Sequence, residues 1–274
     1  MRPVTFRNPF EGTSQPLHIV VVIPARYQST RFPGKPLAEI AGRSMIEHVY
    51  RRAAAAPGVD AVVVATDDAR IAMAVEGFGG AVRMTRSIHR TGTDRIAEVA
   101  AEFHCDIIVN VQGDEPLIDP RAIAEVVEPL ENDASLQMST LRRRITDPED
   151  YANPNVVKVV ADKDGNAMYF SRASIPSVRG SIFETAGVSR PAHKHIGLYA
   201  YRRDFVITFA GLPQTELEIA ESLEQLRALE HGYRIRTVET QHDSVGVDTP
   251  EDLEHVRRQL APAQMAVPTH VKGA

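Results

Sequence analysis

Residues 19–36 read IVVVIPARYQSTRFPGKP: five apolar residues, Ile19 to Ile23, run directly into a loop that carries Arg26, Arg31 and Lys35 around Gly34. A strand that is apolar on both faces suits a parallel sheet with helices above and below, because neither face then meets water. Ala61 to Ala65 and Ile107 to Val111 have the same character. The text between them is helical, with start signals at Ser44 and Glu47 (a capping box), at Asp67 or Asp68, and at Asp119 ahead of Pro120. This alternation predicts a doubly wound α/β layer.

Further along, the pattern changes near residue 140. Val156 to Ala161 and Ala167 to Phe170, separated by Asp162, Lys163, Asp164 and Gly165, predict a hairpin. A helix over Glu216 to Glu230 would place Ile219, Leu223 and Leu226 on one face, and a last helix follows Thr249. The expected organisation is a mobile extension (1–17), an α/β part (18–140), a strand-rich lobe (141–195), a return to the main layer (196–260) and a mobile tail (261–274).

The cationic loop has the chemistry of a phosphate site. A triphosphate needs several positive groups, and a backbone open enough for amide N–H groups to approach its oxygens, which Ser29 and Gly34 permit. The loop lies beyond the C-terminal end of a strand, where open parallel sheets bind ligands. Neither the GxxxxGK[ST] nor the GxGxxG spacing is present, which disfavours P-loop kinases and nicotinamide-dependent dehydrogenases.

Two acids stand at comparable positions. Asp114 and Glu115 follow the strand ending at Val111, in QGDEP, and Asp248 lies in GVDTPEDL. Magnesium takes one or two carboxylates together with substrate phosphates, so Asp114 and Asp248 would suffice if the fold brings them together. Taken alone, Asp248 reads as an ordinary helix cap.

The net charge of -5 gives no footprint for nucleic acid, and Arg142, Arg143 and Arg144 read as a solvated basic edge. The single cysteine, Cys105, excludes an internal disulfide and a thiolate zinc site and suits a reducing cytoplasm. The first eighteen residues lack the apolar stretch of about 7–15 residues of a secretory signal. No apolar run approaches the roughly 20 residues that cross a bilayer, so no membrane association is expected.

Seven motifs in order carry a resemblance: PARYQSTRFPGKPL, RTGTDRIAE, VNVQGDEPLI, YFSRASIP, HIGLYAYR, LEQLR and GVDTPEDL. Over Ile19 to Leu260 the chain resembles the 3-deoxy-manno-octulosonate cytidylyltransferases, departing mainly in a longer extension before Ile19. The resemblance implies a Rossmann-like, glycosyltransferase-A-like α/β fold with a mostly parallel sheet and a smaller strand-rich dimerisation lobe. It also implies a cytoplasmic homodimer that uses Mg2+ to transfer CMP from CTP to 3-deoxy-D-manno-octulosonate (Kdo) for lipopolysaccharide synthesis.

Carried over, Arg26, Arg31 and Lys35 would engage the triphosphate, with Arg86, Thr93 and Arg95 near the cytidine and Gln112 binding substrate. Asp114 and Asp248 would hold magnesium, and Arg172, His195, Tyr199, Glu224 and Gln225 would meet the sugar. On residue type alone, His195 also reads as a structural histidine, and Glu224 with Gln225 as a solvent-facing pair. A sialic acid or amino-Kdo cytidylyltransferase would use the same phosphate and metal motifs, and a nucleotide-binding module would need no metal pair.

Overall fold

A computed structural model describes residues 17–29, 31–177, 192–243 and 246–260. Apart from Leu17, the expected mobile extension and tail lie outside these residues. The chain begins with β1 (Ile19–Ala25), a 3-10 turn (Lys35–Leu37), the short pair β2 (Glu39–Ile40) and β3 (Arg43–Ser44), and α1 (Met45–Ala54). Then follow β4 (Ala61–Thr66), α2 (Ala69–Gly77), β5 (Ala81–Met84), α3 (Gly92–Glu102), β6 (Ile107–Asn110) and α4 (Pro120–Asn132). The second half contains β7 (Met138–Arg144), α5 (Pro148–Ala152), β8 (Lys158–Ala161), β9 (Ala167–Ser171), β10 (His193–Arg202), α6 (Arg203–Gly211), α7 (Glu216–Glu221), α8 (Gln225–Glu230), β11 (Ile235–Glu239) and α9 (Pro250–Leu260).

The apolar run of β1 divides between two cores, as the two-residue period of a strand requires. Ile19, Val21 and Ile23 pack with Ile46 and Val49 of α1, Ile71 of α2 and Ile123 of α4. Val20 and Val22 face the opposite layer, with Ile96 and Val99 of α3 and Phe205, Val206 and Phe209 of α6. The sheet order is β11-β7-β10-β6-β1-β4-β5, and along it only β10 runs against its neighbours. The mostly parallel α/β fold is therefore as expected.

The expected boundaries at 140 and 195 fall inside β7 and β10, so the strand-rich part continues the main sheet. The length of β10 is the reason: Tyr199 to Arg202 pair with β6, while His193 and Lys194 pair with β8. The predicted hairpin is present as β8 and β9. At its turn, the Asp162 carboxylate accepts from the backbone of Asp164 and Asn166.

Local corrections have local causes. Ser44 precedes α1 without a side-chain cap, and the Glu47 carboxylate, which would close the box, pairs instead with Arg51, 2.8 Å away, and with Arg43. Asp68 and Asp119 do cap their helices through the N–H groups of Arg70 and Arg121. The helix expected over Glu216 to Glu230 is broken at Ser222, which adopts a left-handed φ of 53°. Leu223 and Leu226 are buried after the break, while Ile219 is left exposed.

Candidate active site

The C-terminal ends of β1 and β6 are joined across a close backbone approach. A Cβ at Gly113 would lie 2.8 Å from the carbonyl oxygen of Pro24, a distance side chains do not tolerate. Glycine there lets the QGD turn lie against the cationic loop. The loop itself folds back at Gly34, whose φ of +73° favours glycine and whose N–H donates to the Tyr27 carbonyl at 2.8 Å. The Tyr27 ring beneath it is covered by the Arg70 guanidinium, 3.2 Å from the ring centroid.

This folding produces an open cleft of about 410 Å³, with Arg26, Arg31, Lys35, Gln112, Asp114 and Asp248 in its lining. The Lys35 ammonium donates to Asp114 Oδ2 at 2.7 Å and to Asp248 Oδ1 at 3.3 Å, and Arg31 lies 3.1 Å from Asp248 Oδ2. Three cations and two carboxylates from distant parts of the chain therefore share one wall. Asp248 is free to face the cleft because Thr249 takes over the cap of α9. Thr249 Oγ1 accepts from the Asp252 N–H, and the Asp252 carboxylate accepts from the N–H groups of Asp248 and Thr249. The Val247 N–H, donating 2.9 Å to the Asp114 carbonyl, ties the two acidic segments together.

Two carboxylates on one ammonium are a hard-oxygen donor pair that fits magnesium completed by substrate phosphates. No group of three or more acid, histidine or cysteine side chains that could hold a metal ion occurs among the described residues.

A second hollow of about 260 Å³ adjoins through Arg26 and Gln28 and is lined further by Tyr27, Asp67, Asp68, Ser87 and His89. Arg26 donates to the His89 carbonyl at 3.0 Å, and burial, followed by the nearby Arg95 charge, lowers its guanidinium below the usual value. Arg95, expected to meet the nucleotide, is instead fully buried, 3.0 Å from Asp67 and bonded to Thr85. It acts on this hollow from behind, through its pairing with Asp67 and through its charge on Arg26. Arg86 lies exposed at the rim, its Nε 3.4 Å from Glu98, whose other partner is His89. Ser87 and His89 were not singled out from sequence, and Asp67 and Asp68 only as a helix start. The only signal was the acidic pair after the β4 run, which reads equally well as a cap.

Of the remaining expected residues, Thr93, His195, Tyr199 and Glu224 gather in a separate polar cluster. Gln112 donates to Asn110, which lies opposite Tyr199 in the β6–β10 register. Because β10 runs antiparallel, His195 lies beyond the end of β6, on the side of the cleft. Thr93 Oγ1 donates to Glu224 Oε2 at 2.5 Å, and Gln225, next to it in sequence, is buried, so Glu224 is half-buried and Gln225 is shut away from solvent. Burial raises the Glu224 carboxyl above the usual range against the pull of Thr93 and Arg227. Neither Glu224 Oε1 nor Gln225 Nε2 has a hydrogen-bond partner, which leaves two buried polar atoms available to a ligand. Arg172 lies apart from the first cleft, its Nε donating to the Glu221 carbonyl.

His195 Nε2 lies 2.9 Å from Thr140 Oγ1, and the ring packs between Phe170 and Tyr199. Burial takes its pKa down from 6.5 to about 3. The unfolded chain takes up this proton near pH 6.5, but the folded chain only near 3. The stability carried by neutral His195 is therefore complete above the unfolded value and is lost as the pH falls below it. Thermal melts of His195→Gln should show a shallower acid decline between about pH 6.5 and 4 than the parent. An unchanged slope would contradict a buried neutral ring.

Fold and cleft together define a nucleotidyltransferase, and the family model described as cytidylyltransferase matches residues 20–235. The chain belongs to the 3-deoxy-manno-octulosonate cytidylyltransferase family. It is 55% identical to the member from Geobacter metallireducens, over 91% of this chain and 100% of that protein. It is 58% identical to the member from Syntrophotalea carbinolica, over 89% of this chain and 99% of that one. The solved structure of CMP:2-keto-3-deoxy-manno-octonic acid synthetase complexed with CTP superposes with a TM-score of 0.84 at 45% identity, covering 90% of this chain and 99% of the other.

Proposed function

We infer that the chain transfers CMP from CTP to the anomeric hydroxyl of Kdo, releasing pyrophosphate and supplying CMP-Kdo for lipopolysaccharide synthesis, with magnesium held by Asp114 and Asp248. The observation that carries this reading is the Lys35 ammonium shared between those two carboxylates at the mouth of a cationic cleft. Arg26, Arg31 and Lys35 neutralise the triphosphate and steady the leaving pyrophosphate. Magnesium, when bound, supplies charge that offsets the negative charge developing at the reacting oxygens. Gln112, Tyr199, Glu224 and Gln225 orient the sugar hydroxyls, and Arg172 receives the sugar acid. With His195 neutral, the ring hydrogen-bonds at neutral pH without adding charge.

The test is pyrophosphate release from CTP with Kdo, its amino analogue, sialic acid or no sugar, each with and without magnesium. Release that requires both Kdo and magnesium is the expected result. Release with another acid alone would replace the acceptor, and release in the presence of a chelator would remove the metal from the reading.

No helix among the described residues is long and apolar enough to cross a membrane, and a cytoplasmic setting follows from the supply of CTP. The homodimer draws support from exposed apolar side chains at Met168, Leu217 and Ile219. A one-chain mass in light scattering would remove it.

A further inference from the structure

Lys158 at the start of β8 is fully buried, yet no carboxylate lies within ion-pair distance of it among the described residues. Its ammonium donates to the carbonyls of Asn153 at 2.8 Å, Val156 at 2.6 Å and Arg172 at 2.7 Å, which satisfies all three donors. Arg172 is in turn held at several points. Its N–H donates to Glu221 Oε2 at 2.9 Å, its Nε to the Glu221 carbonyl at 2.9 Å, and its Nη1 to the Pro154 carbonyl at 3.2 Å. Among the described residues, Nη2 has no protein acceptor, and Arg172 is only partly buried. Glu221 is occupied as well, accepting from Ser171 Oγ at 2.5 Å and from the Tyr169 hydroxyl.

The knot thus gathers two cations and one carboxylate. A buried ammonium costs free energy even when its hydrogen bonds are satisfied, and carbonyl oxygens do not cancel its charge. A neutral side chain would hold the same loops without that cost. The surplus positive charge has a use if an anion completes it, and the one guanidinium nitrogen without an acceptor provides the contact. We propose that Lys158 is a specificity-determining positioning residue: it fixes Arg172 through its carbonyl and, with it, presents an uncompensated positive charge that selects the carboxylate of the acceptor sugar over uncharged sugars. This rests on the reading that Arg172 faces the sugar acid.

The experiment compares Kdo with its carboxamide as acceptors, at saturating CTP and magnesium, in full-length Lys158→Gln, Lys158→Arg and Arg172→Ala. Gln keeps two donors for the carbonyls but no charge, whereas Arg keeps the charge in a slot shaped for lysine. Lys158→Gln is expected to raise KM for Kdo roughly tenfold, as loss of one charge-assisted interaction does, leaving KM for the carboxamide and for CTP unchanged. Lys158→Arg is expected to retain most of the preference for the acid. A purely structural lysine would raise both acceptor KM values together and be harmed at least as much by Arg as by Gln, which would overturn the proposal. If Arg172→Ala leaves the preference for acid over carboxamide intact, the placement of Arg172 on the sugar acid is wrong. If Arg172→Ala abolishes the preference and Lys158→Gln does not, the role of Lys158 alone falls.

Discussion

Asp248→Asn lowers kcat by roughly 10²–10³-fold, the usual cost of removing one preorganised electrostatic group from a transition state, while KM for Kdo changes little. Asn preserves the volume of Asp and can still accept a bond from Lys35 or Arg31, so shape and local packing survive. What disappears is one of the two negative charges of the carboxylate pair that Asp114 and Asp248 present to the cleft. The side chain is half exposed, and Asp114 remains as the closer partner of Lys35 at 2.7 Å, so the variant folds normally. Steady-state pyrophosphate release against magnesium concentration checks this. Near-normal turnover with unchanged magnesium dependence would show that Asp248 is not a metal ligand.

The second large effect is on stability. Arg227 and Glu218 are 4% and 6% exposed and form a two-point ion pair, with Nε to Oε2 at 2.8 Å and Nη2 to Oε1 at 2.5 Å. Arg227→Met removes one partner and leaves Glu218 buried and charged, at a cost of about 3–5 kcal/mol. For a domain of this size each kcal/mol moves Tm by about 2–4 °C, so the melt should fall by roughly 10 °C. Pairing Arg227→Met with Glu218→Leu should recover most of that loss, because a neutral, well-packed pair has no charge to desolvate. The double variant should still be impaired in turnover, since Arg227 Nη2 also lies 3.7 Å from Glu224 Oε1 in the sugar-side cluster. A single-variant shift under about 2 °C would contradict the buried-pair argument. Burial pushes the Glu218 carboxyl up and the Arg227 bonds outweigh it, so its folded pKa lies below 4.5. The pair's contribution is therefore present above pH 4.5 and fades as the pH falls through the folded value.

The places where sequence reading succeeded and failed follow the range of the interactions involved. Ile19 to Ile23 announced a doubly covered strand because burial on both faces leaves a mark in consecutive residues. Asp68 and Asp119 announced helix starts because a cap acts over two residues. The box at Ser44 and Glu47 misled because Arg43 and Arg51 take the Glu47 carboxylate, and the Glu216 to Glu230 helix misled because Ser222 carries no sequence mark of its left-handed turn. The resemblance named the candidate site residues, although it could not distinguish those that line the cleft from those that stand behind it, such as Arg95.

By itself, the sequence determined a mostly parallel α/β layer with a cationic loop after its first strand, because hydrophobic periodicity and loop composition are local quantities. Only the tertiary structure decided that Asp114 and Asp248 meet at one lysine, since their approach depends on Gly113 lying against Pro24 and on Val247 bonding to the Asp114 backbone. It also decided that Thr249 rather than Asp248 caps the last helix, and that Arg95 is buried against Asp67 instead of lining the cleft. Each of these outcomes is a competition for partners between groups far apart in the chain, and a competition of that kind is settled only when the packed sheet brings the competitors together.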